Sequence, residues 1–324
     1  ASGWSWPQSA LEMRDAAHWA SWADTISTIT SRNPVLAHQW LEELRVNRLP
    51  SCIGIEQSRL RLSRAGFEYP SWAELSAGRR APQVTDEELE EDLPTFTRGW
   101  QRVASILIED AFHNELKERL SEPERALLLS AGGAYASKHF TAVPSIPETR
   151  IEPALFRVML LRRLRMPLPF TSRRCSCRRY LDPFGDHRSA CPRCGVLGRR
   201  GAPLETCMAR VCREANARVA LNVFLRDMNL EPPPLDGRRI EIVANNLPLW
   251  GGVQLAIDTT IVSPIRADGT CRSRAAFEPG VALWAARRRK RRRTYSELRN
   301  ARRCKLIVFG IEIGGRWSKM RLSS

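Results

Sequence analysis

Four cysteines and one histidine fall within twenty residues of this chain: Cys175, Cys177, His187, Cys191 and Cys194. Thiolate sulfur and imidazole nitrogen are ligands of Zn²⁺, which takes four of them in a tetrahedron at about 2.0–2.3 Å. The spacing offers a Cys pair on one turn and a His–Cys pair on the next. Between the two, Asp182-Pro183-Phe184-Gly185-Asp186 is turn chemistry that lets the chain double back. Five candidates compete for four positions; Cys191 is the favoured fourth ligand and Cys194 the spare. A site with every position filled is structural, because no water remains to be activated. The plainer alternative is a chance group of surface thiols.

A second constellation is acidic. Arg238 to Ala244 and Val253 to Val262 read as two strands, punctuated between by Asn245-Asn246-Leu247-Pro248 and Gly251-Gly252. Each carries one carboxylate in an apolar setting: Glu241 between Ile240 and Ile242, and Asp258 just after Ile257. A carboxylate so placed is costly unless it is paired or binds a cation. If the strands form a hairpin, Glu241 and Asp258 are cross-strand neighbours able to share one hard metal ion. Two exposed carboxylates on the open face of an edge hairpin are the other possibility.

The elements that must position these residues follow from periodicity and punctuation. Residues 9–150 read as mainly helical: Ser9-Ala10-Leu11-Glu12 has the capping-box pattern, and Val35–Val46 and Trp100–Leu120 show helical spacing of apolar residues. Seven of the ten tryptophans lie in the first hundred residues, at a spacing that suits a core. The run from Asp86 to Asp92 reads as a solvated acidic segment, and Pro144, Pro147 and Pro153 as a linker or series of turns. Residues 203–228 read as a helix ending before Pro232-Pro233-Pro234. Val281–Arg303 reads as a second helix, and Lys305–Ile313 as a strand.

Charge divides the chain. Residues 1–156 hold 16 Lys/Arg against 22 Asp/Glu, whereas residues 157–324 hold 35 against 13, giving +16 overall. The expected organisation is α+β: an acidic, Trp-rich helical region over 1–156, a basic segment with a Cys/His knuckle over 157–200, and an α/β domain over 201–324. The basic excess points to a polyanionic partner. Arg287, Arg288, Arg289, Arg291, Arg292 and Arg293 surround Lys290 in a phosphate-facing run that also has the composition of a nuclear-import signal. No apolar run reaches the roughly 18–20 residues of a membrane span. Nine cysteines, an odd number, argue against a secreted disulfide framework and for a reducing compartment. The opening Ala1-Ser2-Gly3-Trp4 suggests a piece of a longer product.

The order of parts resembles the C-terminal portion of the polyprotein of non-LTR retrotransposons that carry a restriction-like endonuclease. In that family a knuckle with a Cys pair and a Gly-Asp-His-x-x-x-Cys motif follows the reverse transcriptase and precedes a PD-(D/E)XK-type nuclease. Gly185-Asp186-His187-Arg188-Ser189-Ala190-Cys191 fits the knuckle, and Asp258-Thr259-Thr260-Ile261-Val262-Ser263-Pro264 fits the second catalytic segment. The resemblance covers residues 130–320 or so. It implies a restriction-endonuclease-like domain with a mixed central sheet. It also implies structural Zn on the knuckle, Mg²⁺ on Glu241 and Asp258, Lys290 orienting water or offsetting charge, and Glu214 as an outer metal contact. The implied activity is nicking of double-stranded DNA in the nucleus to prime reverse transcription. The element's own RNA would be a second ligand, and the polymerase would lie upstream in the same polyprotein. Three departures are visible: Glu241 stands where the family has Asp; Arg291 stands four residues before Tyr295, where the family has lysine, with Lys290 one place off; and the chain stops soon after Trp317, where a further helix is expected. Arginine stays protonated and cannot serve as a base. The competing expectation is a catalytically dead, zinc-containing nucleic-acid-binding module from a decayed element.

Overall fold

The computed structural model describes residues 9–46, 49–82, 99–133, 136–169, 173–194, 196–228, 230, 235–299 and 301–318. The fold is mixed α+β, in two compact units, Ala1–Leu120 and Ser121–Ser324. Residues 121–156 thus cluster with the basic part of the chain. The runs Asp86–Asp92 and Pro232–Pro234 and the tryptophans at 4 and 6 lie outside the described residues. No helix among the described residues is long and apolar enough to cross a membrane.

The first unit is helical: α1 (Ser9–Arg32), α2 (Pro34–Val46), α3 (Pro50–Arg64), α4 (Trp72–Ser76) and α5 (Trp100–Arg119). Its chain breaks follow local chemistry. Asn33 Oδ1 accepts from Leu36 N at 3.1 Å, capping α2 behind Pro34. Ser71 and Glu74 form a reciprocal capping box at the start of α4. The tryptophans are core: Trp19 and Trp100 are buried with Ile26, Ile55, Leu62, Phe67 and Leu75. Trp19 meets Phe67 and Trp100 edge-on at 5.0 and 5.8 Å.

The second unit begins with α6 (Glu122–Ala131), α7 (Lys138–Thr141) and α8 (Pro153–Arg163), passes through the Cys/His segment with the short α9 (Asp186–Ala190), and then enters α10 (Val196–Glu214). Three strands follow, β1 (Arg218–Phe224), β2 (Arg239–Asn245) and β3 (Gln254–Val262), then α11 (Val281–Arg289) and β4 (Cys304–Glu312). The sheet order is β1-β2-β3-β4; the first two pairings are antiparallel, and β3–β4 is parallel, from Gln254↔Cys304 to Val262↔Glu312. The parallel pair requires a crossover, which α11 supplies. It approaches closely because residue 310 is glycine: a Cβ there would lie 2.7 Å from a Leu283 methyl.

Two expected helices are shorter than the pattern suggests. Residues 203–228 are not one helix. α10 ends at Glu214 in a Schellman motif, with Asn216 at φ +63°, its N–H on Arg213 O and the Ala217 N–H on Cys212 O. The apolar residues beyond it form β1, where Val219 continued the helical stripe by coincidence of period. Val281–Arg303 likewise stops being α-helical at Arg289, because Lys290–Thr294 forms a π-turn and Tyr295 is drawn into the core. β1 has its own irregularity. Asn222 sits at φ +53° and drops out of the β1–β2 ladder, which is paired at Leu221↔Ile242 and again at Val223↔Ile240.

Candidate metal centre and carboxylate site

The Cys/His segment folds around Asp182. Its Oδ1 accepts from Phe184 N (2.9 Å) and Asp186 N (3.0 Å), and its Oδ2 from His187 N (2.7 Å), so one carboxylate satisfies the open amides at the start of α9. Gly185 makes the turn at φ +74°, with Leu168 so near that a Cβ would lie 3.1 Å from its methyl. Asp186 pairs with Arg165 at 2.5 Å, and the Arg165 guanidinium lies over Phe184 at 4.2 Å. Burial raises the Asp186 carboxyl in spite of that partner.

This scaffold brings Cys175, Cys177, His187 and Cys191 together, with their ligand atoms all within 4.8 Å of one another. Cys175 Sγ lies 3.9 Å from Cys191 Sγ, and Cys177 Sγ 3.2 Å from His187 Nε2. Those separations approach the edges of a tetrahedron with metal bonds near 2.3 Å, about 3.8 Å between sulfurs. The cluster can therefore hold a metal such as zinc. The other imidazole nitrogen settles the tautomer: His187 Nδ1 faces Ala267 O at 2.7 Å, donates to it, and leaves Nε2 as a bare acceptor. The Cys177 amide holds the Cys175 thiol down to about 6. At Cys177 the Arg179 amide pulls the same way, but burial and the neighbouring Cys175 and Cys191 win and push the thiol up. A crowd of thiols that resist joint ionisation is what a cation relieves. Cys194 ends a short 3₁₀ turn from Pro192, and its side chain lies outside the described residues.

The carboxylates occupy the middle of the sheet. The β2–β3 ladder runs Ala244↔Leu255, Val243↔Ala256 and Ile242↔Ile257; Glu241 and Asp258 are the next residues on their strands, near enough for their charges to interact. Glu241 is partly buried; its Oε2 accepts from Thr259 N and Thr259 Oγ1, both at 2.6 Å. Burial raises its carboxyl, the Thr259 bonds oppose the rise, and the nearby Asp258 charge adds to it. Asp258 is fully buried. Its Oδ1 accepts from Lys290 Nζ and from Tyr295 OH, each at 2.8 Å. Its Oδ2 lies 2.7 Å from the same ammonium but outside hydrogen-bond geometry, and among the described residues it has no hydrogen-bond partner. Tyr295 also reaches Arg239 O at 3.0 Å; burial and then the Asp258 charge raise its phenol.

Lys290 reaches Asp258 because the backbone there is a π-turn: Tyr295 N donates to Lys290 O at 2.8 Å, a bond spanning five residues. The turn is clamped from the residue just before β2, where Arg238 donates to Thr294 O and forks between Asp236 and Glu297. Arg291, one place on, points elsewhere and donates to Leu306 O at 3.3 Å. Glu214 is exposed at the end of α10 and is engaged by Arg210 at 2.7 Å rather than by the β2–β3 pair. Arg287 is partly buried, whereas Arg288, Arg289, Arg292 and Arg293 are exposed along α11 and the π-turn. The Thr259 contact, the Arg238 clamp and the Ala267 carbonyl carry no signal in local spacing, because each joins residues brought together only by the tertiary fold. No protein-family model matches this chain, and no curated protein or solved structure matches it.

Proposed function

We propose that the second unit is a metal-dependent DNA endonuclease with a structural zinc knuckle, of the restriction-like kind carried by non-LTR retrotransposons. The observation that carries this reading is the fully buried Asp258 carboxylate, ion-paired with Lys290, with a second acid, Glu241, near enough for the two charges to oppose each other. Two acids beside a single ammonium are costly to keep ionised, and a hard divalent cation such as Mg²⁺ is the ligand that suits oxygen donors from both. Asp258 and Glu241 would hold that ion, which when bound supplies Lewis acidity and charge neutralisation toward a phosphodiester. Lys290, fixed by Asp258, orients the attacking water or offsets charge developing on the phosphate. Tyr295 holds Asp258 in place. The mixed four-stranded sheet suits the fold that the resemblance implies, and the π-turn supplies a physical route by which a lysine one place out of register still meets the acid.

The arginines of α11 and the knuckle grip the duplex through its phosphates, which gives affinity more than sequence choice. The biological step is nicking of chromosomal DNA in the nucleus, so that a reverse transcriptase of the same polyprotein primes from the cut strand. The test is nicking of supercoiled plasmid with Mg²⁺, set beside Asp258→Ala and an EDTA control. Metal-dependent nicking should fall by about 10³-fold or more in the variant. Equal nicking by pure variant protein would sink the assignment. Intact plasmid with salt-sensitive binding would leave a zinc-containing nucleic-acid-binding module.

A further inference from the structure

The segment between β3 and α11 returns on itself. Ile265 bridges Cys271 in antiparallel fashion, Arg266 N donates to Thr270 O at 2.8 Å, and Arg272 N donates to Pro264 O at 2.9 Å. This hairpin, residues 264–272, is rooted by buried Ser263, Pro264 and Ile265 and tied to the Cys/His cluster through the Ala267 carbonyl on His187. Strand alternation puts Ile265 and Cys271 on one face and Arg266 and Arg272 on the other, as a diagonal pair about 7–8 Å apart.

Both arginines are exposed, and both are held by one edge of the guanidinium. Arg272 Nε donates to Ser263 O at 2.7 Å, and Arg266 Nη1 donates to Cys271 O at 2.8 Å and Thr270 Oγ1 at 3.2 Å. The remaining N–H groups of each fork face away from those bonds. The hairpin's carboxylate, Asp268, is engaged by Thr270 N and Oγ1 at 3.0 and 2.6 Å. Arg289, at the end of α11, adds a third guanidinium: burial, then Arg266 and Arg289, make Arg272 harder to keep protonated. None of the three has an ion-pair partner among the described residues. Like charges gathered without a counter-charge are relieved by an anion, and pre-held arginine forks suit phosphate oxygens bidentately.

We infer that Arg266 and Arg272, with Arg289, form a phosphate-binding site on this hairpin that grips the backbone of duplex DNA between the metal knuckle and the carboxylate site. The site rests on the reading of this unit as one that acts on duplex DNA, though not on cleavage itself. It makes the knuckle a support for the substrate grip as well as a fold staple, since His187 holds the hairpin that presents both arginines.

The experiment is binding of a fluorescein-labelled DNA duplex by the full chain across a NaCl series. Every phosphate that an arginine no longer neutralises should lower the salt slope by about 0.9, so Arg266→Gln/Arg272→Gln should reduce it by about two units. Arg266→Lys/Arg272→Lys should keep most of the slope, and Arg45→Gln, in the first unit, should leave it unchanged. Zinc content and Tm of each variant show that it is folded. Tight, salt-dependent binding by the natural chain with an unaltered slope in the Gln pair overturns this site and leaves the DNA reading standing. Absence of duplex binding by the natural chain overturns that reading, and the phosphate site with it.

Discussion

The Cys/His cluster and the carboxylate pair lie in one unit and both bury polar groups, but they satisfy them differently. At the cluster Asp182 takes three amides, Ala267 takes the His187 Nδ1 proton, and four ligand atoms converge at metal-binding spacing. Around the carboxylates, Glu241 is held by Thr259 and Asp258 by Lys290 and Tyr295, so that two acids face one ammonium. A closed set of ligands suits a structural ion; an incomplete set suits a site that binds and releases what it works on. On the function proposed above, the difference separates a part that stabilises from a part that acts.

Removing the ion from the closed site should have the largest effect. On the proposal that the cluster holds zinc, His187→Ala is expected to abolish zinc binding and to unfold residues 173–194, since a structural zinc contributes on the order of 10 kcal/mol to such small modules. Zinc content and Tm on the same sample read this; full zinc with an unchanged Tm would erase the contrast. At the incomplete site, Lys290→Ala should cut nicking by about 10²-fold, whereas Arg291→Ala should leave kcat nearly unchanged at low salt. The reverse ranking would mean that the π-turn does not present the lysine.

The next effect depends on pH. Burial raises the Glu241 carboxyl above its ordinary 4.5, so the folded chain binds this proton more tightly than the unfolded one. That contribution is fully present below 4.5 and is lost as pH rises through the raised folded value. Mg²⁺ must displace the proton, so its gain in Tm should be near zero below pH 4.5 and reach about 2–4 °C near neutrality. A gain independent of pH would remove Glu241 from the metal site. An effect of similar size on stability is expected for Gly185→Ala, where φ is +74° and Leu168 is close: a destabilisation of about 1 kcal/mol with the cluster's zinc binding retained.

The same contrast explains what could be read in the chain itself. The four residues of the cluster span 17 positions, so spacing alone marks them; the side chain of Cys194, the fifth candidate, lies outside the described residues. The strands β2, β3 and β4 announced themselves by β-branched runs, and the nearness of Glu241 and Asp258 was to be expected from pairing β2 with β3. What escaped was non-local. Val219 extended a helical stripe that Asn216 had already ended, and the length of α11 depended on Tyr295 being drawn to Asp258 from 37 residues away. Counting four residues back from Tyr295 finds Arg291; the five-residue hydrogen bond of the π-turn presents Lys290 instead.

The break at Asn222 bears on how this sheet meets other chains. β1 is the outer strand beside β2, and a straight outer strand offers its unpaired amides and carbonyls as a template for any extended peptide. A left-handed residue in its middle spoils that template, because a visiting strand could match the amides on one side of the kink but not on both. The carboxylate-bearing sheet is therefore guarded against growth by strand addition at this edge. Straightening it with Asn222→Val would be expected to expose the protein to aggregation at concentrations the natural chain tolerates.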